Sequence, residues 1–311
     1  MTDRLMEKID RCGAPIVVGL DPTYAMIPES MRAEGRREHG LTLRAVAAMF
    51  MDYGMRIIDS VCDLVPAVKL QIAVYEQLGP EGILAYAETA AYAAKKGLFV
   101  IGDVKRGDIA STAAAYASHL AGVKIESMEY EPWTEDAITL SPYMGGDSVA
   151  PFLDACAQRD KGVFILVKTS NPGGADIQDR VLKDSDLTVY ERVADLVSDW
   201  GAGLIGRRGY SKVGAVVGAT FAEQGAALRK RMPHTFFLVP GYGAQGAAGK
   251  DLRGFFDRDG RGCIVNSSRG IIAAWQNDKK FGDRNVGDAA REAVHRMRSD
   301  LEAALCARGS A

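Results

Sequence analysis

The chain has 311 residues, of which 47% are hydrophobic and 25% charged, with a formal net charge of −2. This is the composition of a globular protein with a large core, and the near-neutral balance removes any general electrostatic case for nucleic acid or an anionic membrane as partner. The five cysteines (Cys12, Cys62, Cys156, Cys263, Cys306) are odd in number, scattered and without a CxxC, which favours reduced thiols over a disulfide framework or a zinc site.

The N-terminal MTDRLMEKIDRCG has helical spacing with charges throughout. It lacks the apolar core of a secretory signal, and no apolar run is long enough to span a bilayer. A cytoplasmic location is expected. Short apolar runs then recur: Pro15–Leu20, Ala67–Gln71, Leu98–Val104, Asp136–Leu140, Gly162–Val167, Val213–Ala219, Phe236–Val239 and Cys263–Asn266. Helical periodicity fills the intervals at 41–61, 81–96, 148–159, 186–200, 221–231 and 288–306. Eight buried strands alternating with helices predict an α/β fold of parallel strands joined by crossovers. The count fits a (β/α)8 TIM barrel, and a doubly wound open sheet is the alternative. No linker marks a boundary, so a single domain over 1–311 is expected, with its core at about 15–275 and a C-terminal helix at about 286–307. The excess length over a minimal barrel is assigned to extra helical and loop segments at 23–40 and 171–212.

In such a barrel the chemistry gathers at the C-terminal ends of the strands. Those ends carry Asp21, Lys69, Asp103, Lys105, Ser141, Ser170, Gln245 and Arg269, a far more polar set than the strands leading to them. The densest is LFVIGDVKRGDIASTAAAYA (98–117), where Asp103 and Lys105, at i and i+2, share a strand face. Taken alone, such a cluster reads first as a solvated turn with a surface ion pair. Lys69 adds weight, because a lysine inside an apolar strand needs a buried partner. Lys69, Asp103 and Lys105 are expected to form an alternating charge array with Asp21 or Asp108 as its fourth member. Two further ends suit a phosphate: PGYGAQGA offers glycines and Gln245, and NSSRGI offers Arg269 at the start of a short helix. The histidines (His39, His119, His234, His295) fall away from the strand ends, with surface or cap roles expected, and no GxSxG is present.

Together DVKRGDIASTA, GLDP, VKLQ, SPYMG, KTSNPGG, PGYGAQGA and NSSRGI resemble the orotidine 5′-phosphate decarboxylase family in its longer bacterial form. The resemblance implies cofactor-independent decarboxylation of orotidine 5′-phosphate to UMP and CO2, the last step of de novo pyrimidine nucleotide biosynthesis, in a homodimer with shared sites. It implies that Asp21 and Lys69 hold the ribose and extend the network. Asp103 would stand beside the substrate carboxylate, and Lys105 would protonate the ring carbon. Asp108, Ile109 and Thr112 would reach into the partner's site, Ser170 would bond the pyrimidine edge, and Gln245 and Arg269 would grip the phosphate, with Tyr242 and Pro240 beside them. No metal or cofactor is implied. A Mg2+-dependent sugar-phosphate decarboxylase or synthase of the same superfamily shares DxKxxD, and would make Asp103 a metal ligand. A non-catalytic nucleotide or phosphate sensor on a barrel is the reading from another class.

Overall fold

Runs such as Ile16–Leu20 and Val213–Val217, β-branched and without a polar break, suit strands covered on both faces, and every position of both is buried. The computed structural model describes residues 1–243, 246–278 and 280–306. Its strands in chain order are β1 (Ile16–Leu20), β2 (Ala67–Gln71), β3 (Phe99–Arg106), β4 (Val123–Ile125), β5 (Met128–Tyr130), β6 (Ala137–Leu140), β7 (Gly162–Lys168), β8 (Val213–Val217), β9 (Phe237–Pro240) and β10 (Cys263–Ser267). All but β4 and β5 close into a parallel barrel ordered β1-β2-β3-β6-β7-β8-β9-β10. Closure through β1–β10 pairing excludes the open sheet. Each expected strand is present within two residues of its expected bounds.

The helices are α1 (Thr2–Cys12), α2 (Glu29–His39), α3 (Leu43–Val61), α4 (Ile72–Glu76), α5 (Pro80–Lys95), α6 (Ala110–Tyr116), α7 (Ser118–Ala121), α8 (Gly146–Gln158), α9 (Val189–Gly201), α10 (Ala222–Arg231), α11 (Arg269–Ile272), α12 (Ala274–Asn277) and α13 (Val286–Cys306). Thr188 and Glu191 close a reciprocal capping box that fixes the start of α9. Segment 23–40 holds a short 3-10 turn and α2, and 171–212 holds α9 between two 3-10 turns. A third addition, the antiparallel hairpin β4–β5, is not foreshadowed in the sequence.

Strand alternation sorts the apolar residues into two cores. Outward side chains pack against the helices. Inward ones, including Val17, Ala67, Phe99, Ile101, Ala137 and Ile264, fill the barrel, and Met1, Leu5 and Met6 join the same cluster. Two residues further along four of these strands, the same inward face carries Lys69, Asp103, Thr139 and Asn266, all buried. The top interior layer of the barrel is therefore polar, and that layer is the floor of the site. At the matching position of β1 stands Gly19, where a Cβ would lie 1.9 Å from Ser268 Oγ, so a side chain there would close the floor.

His119 corrects the expectation of a surface or cap role. It is buried, stacked on Trp133 at 4.4 Å between centroids, with Nδ1 3.1 Å from Glu135 Oε1.

Candidate active site

The charge array is assembled at the polar layer. Lys69 Nζ donates to Asp103 Oδ2 at 2.8 Å and stands 3.6 Å from Asp21 Oδ1, an ion pair too long for a hydrogen bond. Lys105 Nζ donates to Asp103 Oδ1 at 2.5 Å. Within one chain, Asp21 rather than Asp108 is thus the fourth member. Two neutral donors complete Asp103: Gln71 Nε2 to Oδ2 at 3.1 Å and Thr139 Oγ1 to Oδ1 at 2.9 Å. With four donors the carboxylate has its acceptor sites filled. Gln71 and Thr139 carry no charge and sit in ordinary strand positions, so only the fold brings them to notice.

Burial opposes ionisation of both central groups. Lys69 and then Lys105 nevertheless hold the Asp103 carboxyl well below the usual carboxylate range. Asp103 and then Asp21 keep the buried Lys69 ammonium protonated well above the ordinary lysine range. At neutral pH the two buried central groups, Asp103 and Lys69, are therefore a carboxylate and an ammonium.

A stability prediction follows from the burial of Lys69, which is 4% exposed. Lys69→Met leaves Asp103 buried with one ammonium fewer and is expected to destabilise the protein by roughly 3 kcal/mol near pH 7. Asp103 has a lowered folded-state pKa, so its stabilisation is full above about pH 4 and is lost as pH falls through the folded value. Lys69, with a raised value, contributes throughout the neutral range and loses its contribution only on the strongly alkaline side. The gap between wild type and variant in urea midpoints should therefore narrow as pH falls below about 4; a gap constant down to pH 2 would show that lost packing, not charge, is responsible.

Lys105 is held unusually. Pairing between β3 and β6 slips between Gly102 and Arg106, and Lys105 has φ +44°, in the left-handed region that residues with a Cβ avoid. Simple alternation would bury it beside Asp103. Instead its backbone sits on the rim and its side chain, nearly half exposed, reaches back to the carboxylate.

Beside the array a cleft of about 370 Å³ opens, lined by Asp21, Lys69, Asp103, Pro240, Tyr242 and Arg269 among others. Glycines at 241, 243 and 246 adopt φ of 110°, 72° and 94°, conformations in which a backbone loop can turn its N–H groups towards an anion. Arg269 is exposed at the first position of α11. That helix has four residues, so the guanidinium rather than a macrodipole supplies the positive charge at this end. Tyr242 faces the cleft, but its hydroxyl donates to Asp300 on α13 at 2.7 Å. Gln245 lies outside the described residues.

Other expected positions stand apart from the cleft. Ser170 follows β7 half-buried, its backbone packed on Gly218 and its carbonyl accepting from Thr220 Oγ1 at 3.2 Å. Asp108 Oδ1 accepts from Ile109 N at 2.7 Å, and Ile109 and Thr112 are exposed at the start of α6. A second cavity of about 330 Å³ lies at the opposite end, lined by Met6, Ile9, Pro15, Phe236, Cys263 and Leu305 among others. It is mainly apolar and brings together nothing like the Asp–Lys array.

Comparison with known proteins gives the family. The model of the orotidine 5′-phosphate decarboxylase / HUMPS family matches residues 14–281. The chain is 43% identical to an orotidine 5′-phosphate decarboxylase of Rhodopirellula baltica, covering 96% of this chain and 98% of that one. Identity to the protein of the same name from Petrotoga mobilis is 41%, covering 96% and 97%. Among solved structures, the OMP decarboxylase of Leishmania donovani superposes with a TM-score of 0.70 at 32% identity, covering 96% of this chain and 98% of that one.

Proposed function

The chain belongs to the orotidine 5′-phosphate decarboxylase / HUMPS family, and on that premise we propose that its Asp21–Lys69–Asp103–Lys105 array decarboxylates orotidine 5′-phosphate without a cofactor. The reaction yields UMP and CO2, a carbon–carbon lyase step in pyrimidine nucleotide biosynthesis. The observation that carries the proposal is the position of Lys105, the one member of the array that is both paired with Asp103 and open to the rim.

Cleavage of the bond between the ring carbon and the carboxylate leaves an electron pair on that carbon. No cofactor accepts the pair, so the site must stabilise it electrostatically and supply a proton. Asp103 is the group that faces the departing carboxylate. Two anions about 4 Å apart at an effective dielectric near 20 repel by roughly 4 kcal/mol, and the ammonium groups on Asp103 offset part of this. The repulsion ends when neutral CO2 leaves. The Lys105 ammonium then faces the new carbanion and passes its proton to the ring carbon; the neutral amine is reprotonated from water. Among the described residues, Asp21 Oδ1 is buried without a hydrogen-bond partner, suited to a ribose hydroxyl. Gln245 and Arg269 are assigned the phosphate, whose binding energy is available to order loops and exclude water. Ser170 is assigned the pyrimidine edge.

The metal-dependent reading within the family requires Asp103 to be a ligand. Its four acceptor sites are taken by Lys69, Gln71, Lys105 and Thr139, and a cation there would face two ammonium groups at close range. Loss of orotidylate absorbance on adding purified protein is the direct test. The rate is expected to be unchanged after dialysis against EDTA; a rate abolished by EDTA and restored by Mg2+ would reverse the assignment.

A homodimer with shared sites is proposed on the exposed apolar surface. Ile109 is 55% exposed and Tyr143 82%, and Met144, Ile125, Met128 and Tyr130 are exposed too. All belong to connections that follow β3 or β6, two adjacent strands, so a second copy could cover them at one sector of the barrel. No helix among the described residues is long and apolar enough to cross a membrane. A cytoplasmic location is proposed from the five free cysteines.

A further inference from the structure

We propose that Thr139 is a positioning residue that fixes Lys105 and Asp103 relative to one another. Its hydroxyl is buried at the third position of β6, on the inward face. Oγ1 accepts a hydrogen bond from the backbone N–H of Lys105 at 3.0 Å and donates one to Asp103 Oδ1 at 2.9 Å. A hydroxyl has a single proton, so with the Lys105 N–H as donor the direction of this chain is set: amide to hydroxyl to carboxylate.

The slip in β3–β6 pairing explains why a side chain is needed. Register between the strands runs through Gly102 and resumes at Arg106, opposite Leu140. Lys105 falls in the gap, where its amide has lost its place in the regular ladder. A left-handed φ at a lysine is strained and persists only where surroundings impose it. The Thr139 hydroxyl gives that displaced amide an acceptor, and the same oxygen holds the carboxylate to which the Lys105 ammonium is bound. One atom thus sets both ends of the Asp103–Lys105 pair. Threonine serves this place because its branched Cβ suits a strand while its hydroxyl can face the interior.

The inference rests on Lys105 being the proton donor. It predicts that Thr139→Val, nearly isosteric and without the hydroxyl, lowers kcat by about 10- to 100-fold, the scale of a displacement near 1 Å at a reacting group. KM should move less than about threefold, because substrate is held mainly by other groups. Thr139→Ser keeps the hydroxyl and is expected to retain kcat within about threefold of wild type. The measurement is steady-state turnover of orotidine 5′-phosphate by the three proteins, with thermal midpoints recorded alongside. If the valine protein does not fold, Thr139→Ala removes the same hydroxyl with no added bulk and carries the same expectation. A folded variant lacking the hydroxyl with wild-type kcat would overturn the proposal. So would serine and valine proteins equally impaired, since the methyl group would then be what matters. Lys105→Ala measured in parallel separates the premise from the inference: turnover surviving in that variant removes the donor assignment, whereas its loss beside an unimpaired Thr139→Val removes the positioning role alone.

Discussion

Lys105→Ala is expected to lower kcat for orotidine 5′-phosphate by about 10⁴-fold or more while leaving a folded protein. A positioned general acid contributes about 10²–10⁴-fold, and a fixed charge aimed at a developing anion about 10²–10³-fold more. Lys105 supplies both, so the losses compound. The fold should survive because the side chain is nearly half exposed and Asp103 keeps Lys69, Gln71 and Thr139 as donors; solvent-screened pairs of this kind contribute at most about 1 kcal/mol. Lys105→Arg divides the two roles. It retains a cation near the ring but does not give up a proton at neutral pH, so it should recover part of the electrostatic contribution and none of the proton transfer. Single-turnover measurements would read this directly. An alanine variant within tenfold of wild type would mean that the proton comes from elsewhere.

The barrel was legible because buried parallel strands carry continuous apolar runs, and eight of them stand out between helical intervals. The charge array was legible for a related reason. A lysine between Val68 and Leu70 and an aspartate after Gly102 break that pattern, and breaks at strand ends have few explanations besides a site. Thr139 and Gln71 break nothing: threonine is a common strand residue, and glutamine at a strand end is unremarkable until the register brings it opposite Asp103. The left-handed backbone at Lys105 was equally hidden, since glycine is the usual signature and glycine stands two residues later. The hairpin β4–β5 turns at Glu126 with φ +55° and no Asn-Gly or Asp-Gly pair, and all its strand positions are exposed, so neither turn chemistry nor alternation announced it. His119 was misjudged because its partners, Glu135 and Trp133, follow it by 16 and 14 residues across that hairpin.

Mixing Lys105→Ala with Asp108→Asn is expected to restore about a quarter of wild-type activity from two inactive proteins. Within one chain Asp108 stands beyond Gly107, and its carboxylate accepts from the Ile109 amide rather than meeting Lys105. Gly107 is pressed against Ser141, with a hypothetical Cβ 3.2 Å from the Ser141 carbonyl oxygen, which restrains the chain from folding back over its own array. Ile109 and Thr112, exposed on the same segment, have an occupation if they enter the cleft of a second copy. In a two-fold dimer each site then takes Lys105 from one chain and Asp108 from the other. A heterodimer of the two variants holds one site with both native residues and one with neither. Random exchange makes about half the dimers mixed, and half the sites in those are intact, hence the quarter. Asparagine is a conservative probe, since its side-chain oxygen can still accept from the Ile109 amide while its charge is gone. Heterodimers isolated through two different affinity tags would remove doubt about exchange. Recovery in that fraction, proportional to heterodimer content, requires a site built from two chains; isolated heterodimers with no turnover would place Asp108 and Lys105 in the same chain's site, and an active Asp108→Asn homodimer would remove Asp108 from the chemistry altogether.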